Sequence, residues 1–590
     1  MKQIGNKYGV ATTLNNIGGV YSYLEEYPKA LDYFQQALAI DKQIGNKAGF
    51  AISLNNICRV LNNFVEYSIS LDYYHQSLAI KKQIGDKAGV GNTLNNIGVL
   101  YNQIGKYSDA EKTLFAAIEI LESLRKKLTD NQKISIFDTQ IDTYRGLQQT
   151  LIAQNKTTTA LEISERSKAK ALVELLSSKF NPNKQINIKP PQIEQIKQIA
   201  QKQKATFVEY SVIDESQLYI WVIKPTGEVA FKQVDIKSLD TPLAKLVTKS
   251  RESIGARGRS LFSIETTDEV KQNQNSQKQN LQQLHKLLIQ PIASHLPTNP
   301  DERVIFIPHE SLFLVPFPAL LDANGKYLIE KHTIMTAPAI QVLKLTNNQG
   351  KLNLSSLQPK DLLVAGNPTM PIVGIPPTQL SKLPGAEKEA KAIAKLFNTT
   401  PLIGNQATKS AVVQKISSAR VIHLATHGLL DGKDFGELTP GAIALAPNTP
   451  TPLSSPLSKE GKIPLSSPLD KGGKRGVVNE GLLKSTEIID MKLNADLVVL
   501  SACDTGRGEI KGDGVIGLSR SLITAGASSV IVSLWKIPDN STSDLMSEFY
   551  RQWEKTGDKA AALRQAMLKT MKTNPEPIDW AAFTLIGEPE

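Results

Sequence analysis

Apolar residues return at helical spacing along the N-terminal part of the chain, and the whole pattern returns every 40 residues. "QIGNK" begins at Gln3 and Gln43, and "QIGDK" at Gln83. "LNNIG", "LNNIC" and "LNNIG" begin at Leu14, Leu54 and Leu94, while "LDYFQQALAI" and "LDYYHQSLAI" begin at Leu31 and Leu71. A fixed period of this length is the signature of a repeat architecture. Leu14, Ile17, Gly18 and Tyr21 line one helix face, and Ala30, Phe34 and Ala37 line the next; Leu94, Ile97, Gly98, Tyr101, Ala110, Leu114 and Ala117 restate them in the third unit. Paired helices are predicted, with small residues on one admitting bulky residues of the other. Cys58 occupies the slot of Gly18 and Gly98, so it is read as packing. Helical periodicity continues over 121–180, ending in "TALEISERSKAKALVELLSSKF", until three prolines in "NPNKQINIKPPQ", residues 181–192, break it.

Beyond residue 193 the period changes. "TFVEYSVI" and "QLYIWVI", separated by "DES", predict a β-hairpin. "RVIFIP", "DLLVAG", "RVIHLATHG", "GAIALA", "DLVVLSAC" and "SSVIVSLW" are short apolar runs, several separated by helical patterns such as "GAEKEAKAIAKLF" and "GVIGLSRSLITAG". Apolar strands alternating with helices predict a mostly parallel sheet covered on both faces. Ligands sit at the carboxyl ends of strands in such sheets. Residues 447–476, rich in Pro, Ser, Gly and Lys and carrying "PLSSPL" twice, cannot supply a core and are expected to be a mobile loop.

The repeat pattern resembles tetratricopeptide repeats in a longer, 40-residue form. That resemblance implies stacked helix pairs whose concave surface holds a peptide or another protein. The expected organisation is 1–120 for three repeat units, 121–180 for a further helical region, 181–192 for a linker and 193–590 for a second domain. A chain of 590 residues, 41% hydrophobic, is long enough for at least two cores. No run approaches the ~18 apolar residues of a membrane span, and the first residues have no apolar signal core, so a cytoplasmic location is expected. The formal charge of +11 comes from basic residues scattered among acidic ones, with no arginine-rich arm, stacking motif or zinc-finger spacing. A solvated surface is expected, and nucleic acid is not the expected partner, although a modest preference for anionic surfaces stays open.

Two of the predicted strands end on reactive residues. "RVIHLATHG" delivers His427 and then Gly428, and "DLVVLSAC" delivers Cys503. If the strands are neighbours, imidazole and thiol arrive at one sheet edge. A thiol with a reference pKa near ~8.5 becomes a nucleophile once an imidazole takes its proton. The backbone N–H groups of Gly428 and Cys503 could then hold a developing oxyanion. His423 shares the strand face of His427 by period two and is read as structural. Asp504 could orient the site or cap a turn, and Asp513 is read as a helix cap. The sequence has no G-x-S-x-G elbow and no G-x-x-x-x-G-K-[ST] phosphate loop. No metal site or cofactor is expected from two cysteines and scattered histidines.

"HLATHG", "VVLSACDTG", "GDGVIGLSRSLITAGASSVIVSLWKIPDNST" and "WAAFTLIG", with "IPHESLFLVPFPALL" and "LPGAEKEAKAI", closely resemble the CHAT domain, a caspase-like and separase-like peptidase domain, over about residues 200 to 590. The resemblance implies an all-α tetratricopeptide solenoid followed by an α/β caspase-like domain, and a cysteine endopeptidase whose dyad is His427 and Cys503. It also implies that Asp539, downstream of the cysteine, receives the residue preceding the cut, favouring Arg and then Lys. The alternative for Asp539 is a cap on the helix "STSDLMSEFYRQW", which Asp539 or Asn540 could equally provide. Residues 447–476 are either an inert loop at the rim or an autoinhibitory or self-cleaved segment, with Lys471, Lys474 and Arg475 as cleavage points. A catalytically inactive scaffold is the competing reading of the domain. A nucleic-acid-linked effector is a third, resting on charge and on relatives in RNA-guided defence.

Overall fold

The computed structural model describes residues 6–125, 128, 132, 140–180, 190–255, 267–346, 352, 354–373, 378–429, 441–448, 481–502, 509–511, 514–535 and 538–590. The chain forms two compact units, Met1–Ser167 and Lys168–Glu590.

The first unit is built from α1 (Lys7–Tyr23), α2 (Tyr27–Gln43), α3 (Lys47–Asn63), α4 (Tyr67–Gln83), α5 (Lys87–Gln103) and α6 (Tyr107–Arg125), followed by α7 (Ile141–Ala153) and α8 (Thr157–Ser167). The repeated "QIG(N/D)K" is the handover between helix pairs. Gly45 and Gly85 take the left-handed conformation, at φ 69° and 74°, which turns the chain out of α2 and α4. Asn46 and Asp86 then accept hydrogen bonds from the N–H groups of Gly49, at 3.2 Å, and Gly89, at 2.8 Å, capping α3 and α5. Gly18 and Gly98 permit close packing: a Cβ would lie 2.7 Å from the Phe34 ring in one case and 2.5 Å from Leu114 in the other. Cys58 fills that slot in the middle unit, fully buried in one apolar cluster with Tyr74. Burial pushes its thiol up, which suits packing and not nucleophilic chemistry. The paired asparagines link successive units, Asn56 Nδ2 donating to Asn15 Oδ1 and Asn96 Nδ2 to Asn55 Oδ1, both at 3.3 Å. Arg166 forks onto both oxygens of Glu122, at 2.9 and 2.8 Å, and ties α8 back to α6.

The second unit begins before the proline-rich break. Helix α9 (Lys170–Phe180) buries Leu172, Val173 and Leu176 in the core of the α/β unit. Lys168, ahead of it, is buried and donates to Glu209 Oε1 and to the Tyr210 carbonyl, each at 2.7 Å. The division between units therefore falls after Ser167, earlier than the compositional break at 181–192, of which residues 181–189 lie outside the described residues. The physical reason is that an amphipathic helix does not declare in its own sequence which neighbour covers its apolar face.

The main sheet has eleven strands. They are β1 (Ala205–Val212), β2 (Gln217–Ile223), β3 (Val229–Asp235), β4 (Arg303–Ile307), β5 (Thr333–Thr336), β6 (Leu362–Pro368), β7 (Leu402–Gly404), β8 (Val421–Ala425), β9 (Leu497–Ser501), β10 (Ser529–Ser533) and β11 (Phe583–Gly587). Their order across the sheet is β3-β2-β1-β4-β5-β11-β10-β9-β8-β6-β7. Pairing is antiparallel at β3/β2, β2/β1 and β11/β10, and parallel at the other contacts. The predicted hairpin is β1/β2. "GAIALA" leaves the main sheet: Ala442–Ala444 pairs with Gly428–Leu429 and Leu482–Lys484 in a small sheet of its own. Every residue of β8, β9 and β10 is buried, as strands covered on both faces require. Among the described residues no helix is long and apolar enough to cross a membrane.

Candidate active site

Strands β8 and β9 lie side by side and parallel, with Ala425 opposite Ser501. His427 follows Ala425 by two positions, and Cys503 follows Ser501 by two. Both strands therefore end level with each other at one carboxyl edge of the sheet. Cys503 itself lies outside the described residues, as do Asp504 and Asp513, so the described geometry on that strand ends at Ala502. The carbonyl of Ala502 accepts a hydrogen bond from Ser533 Oγ at the end of β10.

His427 is half-buried, and its Nε2 lies 2.8 Å from the carbonyl oxygen of Ser381. A carbonyl only accepts, so Nε2 carries the proton and Nδ1 is the basic nitrogen of the neutral ring. Ser381 comes from the segment after β6, whose Asn367 sits at φ 43° and accepts the Leu383 N–H at 2.8 Å while donating to Glu387 at 3.1 Å. Sequence reasoning missed Ser381, because a backbone carbonyl leaves no trace in residue type. Gly428, next along, faces Ile443 in the small sheet, and the Ala444 N–H donates to the His427 carbonyl at 3.0 Å. Bonded and non-bonded pairs alternate in an antiparallel ladder, so Gly428 turns its N–H away from that partner strand.

A cleft opens at the same edge. Thr426, Ser501, Ala502, Ser533, Trp535 and Phe583 line it from the strand ends, and Leu383, Ala386 and Glu389 from the helix Pro384–Leu396 and the residue before it. Thr542 closes it from the helix Asp539–Thr556. The cleft comprises about 390 Å³ of space, open solvent included. Below it, His423 is buried between Glu389 Oε1, 2.9 Å from its Nε2, and the Tyr550 hydroxyl, 3.1 Å from its Nδ1. A carboxylate only accepts, so Nε2 donates and Nδ1 takes the Tyr550 O–H, a hydroxyl that burial holds well above its ordinary range and hence neutral. His423 is thus held inside the sheet and Glu389 reaches the cleft, a role invisible in "GAEKEAKAIAKLF", where it reads as one charge among several.

The helix Asp539–Thr556 starts at Asp539 itself, with Pro538 in the capping position, so the expected cap by Asp539 or Asn540 does not match the helix start. The Asp539 side chain lies outside the described residues. So does residue 449 onward in the 447–476 segment, including Lys471, Lys474 and Arg475. Among the described residues no group of three or more His, Cys, Asp or Glu could hold a metal ion.

A family model described as "CHAT domain" matches residues 278–588, more than half of the chain, and one described as "Tetratricopeptide repeat" matches 1–43 and 49–123. Tetratricopeptide repeat protein 28 of Mus musculus is 24% identical over 81% of this chain and 24% of its own length. The Homo sapiens protein of the same name is 24% identical over 81% of this chain and 23% of its own. The chain spans about a quarter of the length of these relatives. Among solved structures, the Saccharomyces cerevisiae separase–securin complex aligns with 98% of this chain and 47% of its own at 12% identity and a TM-score of 0.49.

Proposed function

The chain belongs to the CHAT-domain family, with tetratricopeptide repeats ahead of that domain, and from that premise we propose a cysteine endopeptidase of the caspase and separase type using His427 and Cys503. The observation that carries the proposal is the parallel register of Ala425 and Ser501, which in sequence stand two positions before His427 and Cys503. The Ser381 carbonyl supports it, since its 2.8 Å contact holds a proton on the His427 Nε2 and orients the ring. In the proposed reaction Nδ1 takes the thiol proton and the sulfur attacks the scissile carbonyl carbon. The N–H groups of Gly428 and Cys503 hold the oxyanion. The amine then leaves with the proton from the imidazolium, and water hydrolyses the thioester. No cofactor takes part.

Asp539 and the cleft beside it favour Arg, then Lys, before the cut, because a carboxylate in a desolvated pocket rejects like charge. The repeats hold a protein or peptide that controls the enzyme. A cytoplasmic location suits a thiol nucleophile that has to stay reduced.

The test is labelling with a thiol-directed electrophile at neutral pH, paired with peptide cleavage. Fast labelling at Cys503, and losses of at least ~10³-fold in cleavage for Cys503→Ala and for His427→Ala, are expected. Slow labelling equal to that of a free thiol, with no cleavage, would favour the inactive scaffold.

A further inference from the structure

We infer that Glu389, which lines the cleft, is a second carboxylate, beside the proposed Asp539, that reads a cationic substrate side chain. The inference rests on the peptidase reading for the identity of the substrate, and on the cleft itself for the preference. Glu389 is 2% exposed. Its Oε1 is satisfied by a neutral donor, the Nε2–H of His423, and among the described residues neither a lysine nor an arginine pairs with it. Among the described residues no hydrogen bond reaches its Oε2, and that oxygen stays open to the cleft. A carboxylate oxygen facing a cleft favours a cation or further donors.

A second unsatisfied group stands in the same cleft. Ser501 Oγ is buried and has no hydrogen-bond partner, at the end of the strand that leads to Cys503. An ammonium or guanidinium entering the cleft supplies several donors, enough for Glu389 Oε2 and Ser501 Oγ together. Trp535 and Phe583 offer apolar walls that an alkyl stem covers. Thr426 and Ala502 also line the cleft, each one residue in sequence from a member of the proposed dyad. A side chain seated here therefore belongs to a residue immediately beside the scissile bond.

The experiment uses the full chain, its Glu389→Gln variant and two readouts. The first is calorimetric binding of benzamidinium, which needs no catalysis. The second is kcat/KM for matched fluorogenic peptides with Arg, Gln or Asp before the cut. Glutamine keeps an acceptor for His423, so the variant is expected to melt like the parent. The parent should bind benzamidinium and prefer Arg over Gln by at least ~30-fold, and the variant should lose most of that ratio and bind at least ~10-fold more weakly. A parent that binds no benzamidinium, an Arg-to-Gln ratio unchanged in the variant, or an equal fall for all three peptides would overturn the assignment; the last would mark Glu389 as structural. If the parent cleaves nothing yet binds benzamidinium through Glu389, the cation pocket stands and the peptidase reading fails. Should Glu389→Gln not fold, Thr542→Lys places a tethered ammonium on the cleft wall. Benzamidinium binding should then be lost, and unchanged binding would refute the pocket.

Discussion

The two units of the chain are held together in different ways. In the repeats, each contact that fixes a helix comes from the next few dozen residues: Gly18 meets Phe34, Gly98 meets Leu114, and Asn46 caps the helix it precedes. In the α/β unit the strands that matter are gathered from far apart, β8 from 421–425, β9 from 497–501 and β11 from 583–587. Stability in the first is a sum of similar local terms, and damage to one pair stays near that pair. Stability in the second is held in one core, and the cleft exists only when that core is complete. A stack of helix pairs can be built piecewise, but a cleft of this kind cannot.

The sharpest way to break the contrast is to cut the chain at its two candidate boundaries. Fragment 168–590 should fold, while 193–590 lacks Leu172, Val173 and Leu176 from its core. The loss should be roughly 6 kcal/mol at ~1.5–3 kcal/mol per buried aliphatic side chain, read as a drop in urea midpoint or as aggregation of the shorter fragment. Equal stability of the two fragments would return the boundary to the proline-rich segment.

Next in size is Lys168→Ala, which strands the buried Glu209 carboxylate, whose Oε2 already lacks a hydrogen-bond partner. A cost of about 3–5 kcal/mol is expected in chemical denaturation of the α/β unit, with most of it recovered by Lys168→Met combined with Glu209→Leu. In the repeats the effects should be smaller. Gly98→Val drives a side chain into Leu114 and should cost about 1–3 kcal/mol. Removing the cap with Asp86→Ala should cost ~1 kcal/mol. Both should lower the melting transition of the repeats and leave that of the α/β unit in place, as separate calorimetric peaks would show.

The same difference in range governs what could be read from residues alone. The turn and cap chemistry of "QIG(N/D)K" and the slot shared by Gly18, Cys58 and Gly98 were legible, because partners recur at a fixed distance in the chain. Strands ending at His427 and toward Cys503 were legible as apolar runs, and their adjacency was a condition that the sheet order meets. The insertion of β11 between β5 and β10 was not legible, since pairing order depends on competition among all strands at once. Nor was the allegiance of α9, whose apolar face fits either neighbour by pattern. In the site, the imidazole could be named from sequence but not the Ser381 carbonyl that sets its tautomer, and Glu389 was hidden among the charges of an ordinary helix.

The position of β11 also bears on how the protein is made. It bridges β5 and β10, and its first residue, Phe583, is one wall of the cleft. A ribosome that has delivered the chain only through residue 582 holds strands β8, β9 and β10 without the neighbour that joins them to β5. Synthesis thus runs past β8, β9 and β10 before the cleft can close. On the proposed peptidase reading, a pocket that needs Phe583 for one wall would stay silent until that strand has been made.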